Sequence, residues 1–155
     1  MIARSVLAAA CAATATAALF IAAANPAGDL VKFPADYIND VHCGTVHRGN
    51  IREELHTGAA AIAAMKKGEP APNGSVITLA DYRDDKLYRI VVMKKRTGWG
   101  SEYPLDRRTG GWEFAWFNPV QWRKADADMG RCMGCHRSQA GQDFLWSAAQ
   151  MKGVP

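Results

Sequence analysis

Apolar positions along the chain fall into three successive patterns. From Val6 to Ala24 nearly every residue is apolar and Ala-rich, with Arg4 the only charge before Asn25. Asn25 to Phe33 then reads as an extended lead-in. Between Pro34 and Lys67 the periods are short. Pro34 to Asp40 predicts a brief helix, with Pro34 in the first turn, where its missing N–H does no harm. Val41 to Val46 sets Val41, Cys43 and Thr45 against His42, Gly44 and Val46, the two-residue period of a strand. Asn50 to Leu55 predicts a second strand. Ala59 to Lys67 predicts a helix with Thr57 as N-cap, stopped by Gly68 and followed by Pro70 and Pro72. Beyond Gly74 the pattern becomes extended. Ser75 to Tyr82 and Leu87 to Lys94 flank the polar turn Arg83 to Lys86 and predict a hairpin. Trp112 to Phe117 alternates, placing Trp112, Phe114 and Trp116 on one face. Asp143 to Met151 predicts a last helix with Phe144, Ala148 and Met151 on one side. The predicted class is α+β: a mostly antiparallel β-sheet with short peripheral helices.

Composition divides the 155 residues into a leader, residues 1–24, and one domain, residues 25–155. A basic start, an apolar middle and the small residues Ala22-Ala23-Ala24 mark a secretory signal peptide, so the expected location is periplasmic; an uncleaved membrane anchor is the alternative. Without Arg4 the domain carries 18 Lys and Arg, one fewer than the chain's 19, against 15 Asp and Glu. That mild excess does not call for nucleic acid. Lys94-Lys95-Arg96 and Arg107-Arg108 read as solvated basic clusters, or more sharply as a docking patch for an acidic redox partner protein.

The chemistry lies in Cys132-Met133-Gly134-Cys135-His136. In a helical turn, cysteines at this spacing point the same way, so both thiols can add to the two vinyl groups of one porphyrin. The histidine directly after the second cysteine is then carried under the iron as its proximal ligand. The motif predicts one covalent haem c. A thioredoxin-like dithiol would open a helix after a buried strand, whereas Asp126 to Arg131 precede this one. A zinc site would draw on Cys132, Cys135 and either Cys43 or a histidine. Cys43 otherwise reads as a small buried hydrophobe. His42 and His47 read as strand-face or surface histidines, His56 is a weaker ligand candidate still, and Met65 is a core residue.

Only 19 residues follow His136. Helical electron-transfer cytochromes c carry the motif near the mature N-terminus, and the predicted strands exclude a four-helix cytochrome. The chain resembles the cytochrome P-460 family, including the cytochromes c prime-beta, through Pro34 to Tyr37, Ala59 to Lys67, Gly74-Ser75-Val76, Tyr88 to Trp99, Gly111 to Phe117, the haem motif and Asp143-Phe144. The resemblance implies a homodimer holding one haem c per chain with His136 proximal. It also implies that Leu79 and Arg52 line the haem pocket, Arg52 as a distal polar residue.

Two functions fit this reading. In one, the distal side is open and the iron binds nitric oxide or a related small nitrogen oxide. In the other, Met93 fills the sixth position opposite His136 and the protein carries electrons. The resemblance disfavours hydroxylamine oxidation. The P-460 enzymes cross-link a lysine to the porphyrin, where this chain has Leu79, and use a distal carboxylate from the next strand, while Lys86 to Gly100 contains no Asp or Glu. A pocket lined by Leu79, Ile90, Val91 or Val92 offers no base to accept protons.

Overall fold

The computed structural model describes residues 30–155, so the leader lies outside the described residues. Five strands, β1 (Val41–Arg48), β2 (Ile51–Thr57), β3 (Val76–Arg83), β4 (Lys86–Lys95) and β5 (Trp112–Phe117), form one sheet in chain order. Each is antiparallel to the next. Short turns make this meander possible. Asp84 and Asp85, between β3 and β4, have φ of 48° and 59°, the left-handed pair whose twist matches that of the strands it joins.

Three helices, α1 (Ala59–Lys67), α2 (Met129–Arg137) and α3 (Ala148–Gly153), cover one face of the sheet. α1 has the bounds its apolar period predicts, but Gly58 stands at its N-cap without a side-chain bond. Thr57, expected there, is the fully buried last residue of β2. Its hydroxyl donates to the Val76 carbonyl at 2.7 Å, so tertiary pairing takes the oxygen that a cap would have used. Gly68 closes the helix at φ 75°. There Glu69 N–H reaches the Ala64 carbonyl at 2.9 Å.

Register sorts the residues by face. Leu55, Leu79, Val91 and Trp116 lie side by side across β2 to β5, and Thr57, Ile77, Met93 and Phe114 form the adjacent row. On this face the core gathers Ile62, Met65, Met133, Leu145, Ala148 and Met151 from the helices and the C-terminal segment. The other face carries Ile90, Val92, Ala115 and Phe117, covered by Val31, Phe33 and Tyr37 from the lead-in. β5 is therefore buried on both sides, although its pattern predicts one apolar face, because the lead-in folds back over the second.

The predicted helix from Asp143 to Met151 is shorter than its period suggests. Asp143 and Phe144 are left-handed, with φ of 54° and 63°, and the helix begins only at Ala148. Phe144 therefore leaves the face it was expected to share with Ala148 and Met151.

Candidate haem site

The motif lies within α2, which Asp128 caps by accepting the Gly130 N–H at 3.0 Å. Cys132 is half-buried against the helix-side core, Cys135 is exposed, and both thiols are free. Burial pushes the Cys132 thiol up, while Arg89 pulls it the other way. His136 rests its ring against Phe114, centroid to centroid 4.9 Å. Its Nδ1–H donates to the Phe144 carbonyl at 2.7 Å. That bond assigns the tautomer and leaves the Nε2 lone pair free for a metal. Desolvation lowers the His136 pKa and the Phe144 carbonyl partly opposes it, so the imidazole is neutral near pH 7.

The acceptor is placed by the left-handed pair Asp143-Phe144. Such backbone persists where its surroundings over-determine it. Asp143 Oδ1 takes the Lys95 ammonium at 2.5 Å, Oδ2 takes the Ala71 N–H at 2.9 Å, and its main-chain oxygen takes the Trp112 indole N–H at 2.9 Å. The Phe144 ring in turn fills the space over Gly110, where a Cβ would lie 2.6 Å from it.

Beside α2, the apolar row of the sheet is only partly covered. Leu79 and Trp116 pack on the same core as Cys132 yet remain half-exposed, and so does Val91 between them. The residues present therefore fit a porphyrin bound from α2: two free thiols, an oriented neutral imidazole and an incompletely covered apolar strip. Among the described residues no three His, Cys, Asp or Glu side chains gather to hold a metal ion, which leaves the zinc alternative without a ligand set. Cys43 is buried, its thiol 3.5 Å from the Leu55 carbonyl, in the packing role expected of it.

The next row on this face is charged. Glu53, Asp81 and Arg89 are cross-strand neighbours. Arg48 pairs with Glu53 at 2.6 Å, and Arg89 Nε donates to Asp81 Oδ2 at 2.7 Å. Asp81 is 1% exposed and its Oδ1 has no hydrogen-bond partner. The Arg89 guanidinium lies 5.2 Å from the Trp116 ring centroid. Although Lys86 to Gly100 holds no carboxylate, Glu53 and Asp81 come to this row from β2 and β3. The available signal was Asp81 sharing the two-residue period of Ile77 and Leu79.

Leu79 lies on the His136 side of the sheet, as does Val91, whereas Ile90 and Val92 are in the core of the opposite face. Met93 is 7% exposed and pairs across the sheet with Ile77 and Phe114. Arg52 is not brought to His136. It is three residues from Leu55 in a strand whose pairing with β3 is unbroken, so its side chain falls on the other face. There its guanidinium lies 4.0 Å over the Tyr82 ring and pairs with Glu54.

An antiparallel sheet carrying a Cys-x-x-Cys-His helix against one face defines a small β-type haem protein. The family model described as Cytochrome P460 matches residues 34–147, and the chain belongs to the cytochrome P460 family. No curated protein matches it.

Proposed function

We propose that the protein is an exported mono-haem c-type cytochrome that binds nitric oxide or a related small nitrogen oxide. The hydrogen bond from His136 to the Phe144 carbonyl carries this reading, because it prepares a neutral axial ligand directly after two free thiols. The thiols of Cys132 and Cys135 add across the two porphyrin vinyl groups, sulfur to one carbon and hydrogen to the other, with no electrons exchanged. Once bound, haem supplies an iron centre able to coordinate a neutral diatomic ligand. Leu79, Val91 and Trp116 give the cofactor an apolar bed, which favours neutral ligands over anions.

The open sixth position is supported by the setting of Met93. Its thioether is taken up in core packing beside Phe114, the ring that already touches His136. Hydroxylamine oxidation is disfavoured by Leu79, which has no nucleophile to cross-link the porphyrin. Asp81 and Glu53 are taken up in ion pairs with Arg89 and Arg48.

Optical spectra of the ferric and ferrous protein, with and without nitric oxide, test the proposal. A covalently attached, high-spin ferrous haem that takes up nitric oxide is expected. A low-spin spectrum abolished in Met93→Ala would establish the carrier instead. A colourless product after expression with a cytochrome c maturation system would overturn the haem c reading, and turnover of hydroxylamine by pure protein would overturn the non-catalytic one.

A further inference from the structure

On the sheet face away from the haem motif, two histidines meet across β1 and β2. His42 and His56 are directly paired residues, with ring centroids 5.3 Å apart and planes inclined at 60°. The strand register shifts between His42 and Gly44, a bulge of the kind that re-aims neighbouring side chains. His56 is only 5% exposed, no side chain bonds either of its ring nitrogens, and the one backbone group acting on the ring is that of Asp40, which falls short of a well-formed hydrogen bond. A buried imidazole left in this state forfeits the desolvation cost of two polar atoms, and native proteins seldom leave such groups unexplained.

The surroundings close one side and charge the other. Tyr37 meets the His56 ring edge-on at 5.5 Å, sealing it from the lead-in. His42 is exposed, and its Nε2 bonds the Thr45 hydroxyl at 2.9 Å, which in the Nε2–H tautomer leaves the Nδ1 lone pair free. Asp40 and Glu54 are the acidic groups acting on His56, and Arg52 is held against Glu54. Burial and the neighbouring His42 both lower the pKa of His56, so it is neutral and able to ligate near pH 7.

We propose that His42 and His56 form a second metal site, separate from the haem, which takes an imidazole-preferring divalent transition ion with water completing its coordination. Two imidazoles roughly this far apart can share one tetrahedral or tetragonal ion at about 2.0–2.1 Å from each nitrogen. Cu2+ should bind most tightly among the common divalent ions. With Glu54 already paired to Arg52, the carboxylate of Asp40 is what favours a cation over an anion there.

The test uses untagged, haem-loaded full-chain protein titrated with Cu2+ alone, followed by calorimetry and by electron paramagnetic resonance. One equivalent should bind outside the haem, with hyperfine coupling to two nitrogens. Because replacing the buried His56 would disturb the packing of the sheet edge, the informative variant is His42→Ala. It should lose one nitrogen coupling and roughly tenfold or more in affinity. His47→Ala, also on β1, should bind as the wild type does. Unchanged binding in His42→Ala, or no binding by the wild type at millimolar Cu2+, would overturn the site.

Discussion

His136 is held from two directions, by the Phe114 ring and by the Phe144 carbonyl, and these contacts separate attachment from ligation. In the proposed attachment, thioethers would form at Cys132 and Cys135 alone, so His136→Ala should still stain for haem on a denaturing gel. Its optical spectrum should lose the signature of the proximal imidazole. A His136→Ala protein with an unchanged spectrum would mean that another group binds the iron. The support behind His136 can be probed separately at Asp143, whose carboxylate holds both Lys95 and the Ala71 N–H. Asp143→Ala leaves a half-buried ammonium and an amide unpaired and frees two left-handed residues. It should lower stability by about 2 kcal/mol or more. Denaturant unfolding measures that loss. A shifted ferrous spectrum in the folded variant would show that the turn tunes the iron through the histidine.

At the scale of elements, the segment entering β5 packs against the turn whose Phe144 carbonyl holds His136. Gly110 and Gly111 have φ of 61° and 88°, and a Cβ on Gly111 would come within 2.7 Å of the Arg96 carbonyl. Gly110→Ala should cost on the order of 1–3 kcal/mol, from backbone strain and from displacing the Phe144 ring. Thermal melting of the variant beside the wild type checks it, and an unchanged midpoint would show that the ring yields freely. The elements themselves were legible where one local pattern dominated. β5 and α1 have the bounds their periods predict, and the hairpin forms around its polar turn. The family resemblance was legible from the order of its segments. What local pattern could not reveal depends on which face pairs with what. Arg52 is excluded from the His136 side by the parity of an unbulged strand, and Thr57 loses its capping role to a cross-strand carbonyl. Asp81 joins the site only because β2, β3 and β4 align it with Glu53 and Arg89. The end of the predicted Asp143 helix gives way for the same reason, since the bonds to Lys95, Ala71 and Trp112 come from three other parts of the chain.

Across the whole molecule, one buried acid links solution pH to the loop that supports the haem helix. Glu113 is fully buried in β5, accepts the Tyr103 hydroxyl at 3.1 Å through Oε2, and leaves Oε1 without a partner. Desolvation first, and then the nearby Glu102, raise its pKa from 4.5 to about 7, against the Tyr103 hydrogen bond, which lowers it. Tyr103 belongs to the segment that continues into the short turn Leu105–Arg107, whose Leu105 carbonyl accepts from Arg137 at the end of α2. Because the folded protein holds the Glu113 proton more tightly than the unfolded chain does, folding binds protons between pH 4.5 and 7. This contribution is fully present below the unfolded value, falls as pH rises through that window, and is gone above the folded value. The loss should be on the order of 2 kcal/mol, discounted for solvent screening. His56 and His136 act with the opposite sign: both are lowered below 6.5, so they weaken the fold as pH drops beneath that value. The total profile therefore mixes two trends, but the difference between wild type and Glu113→Gln at each pH isolates the carboxyl. Glutamine reproduces the shape of the protonated acid and does not titrate. Urea unfolding from pH 4 to 8 should show the variant gaining on the wild type as pH rises toward 7 and running parallel to it beyond. A difference that stays flat with pH would show that Glu113 ionises normally and that the loop owes it nothing.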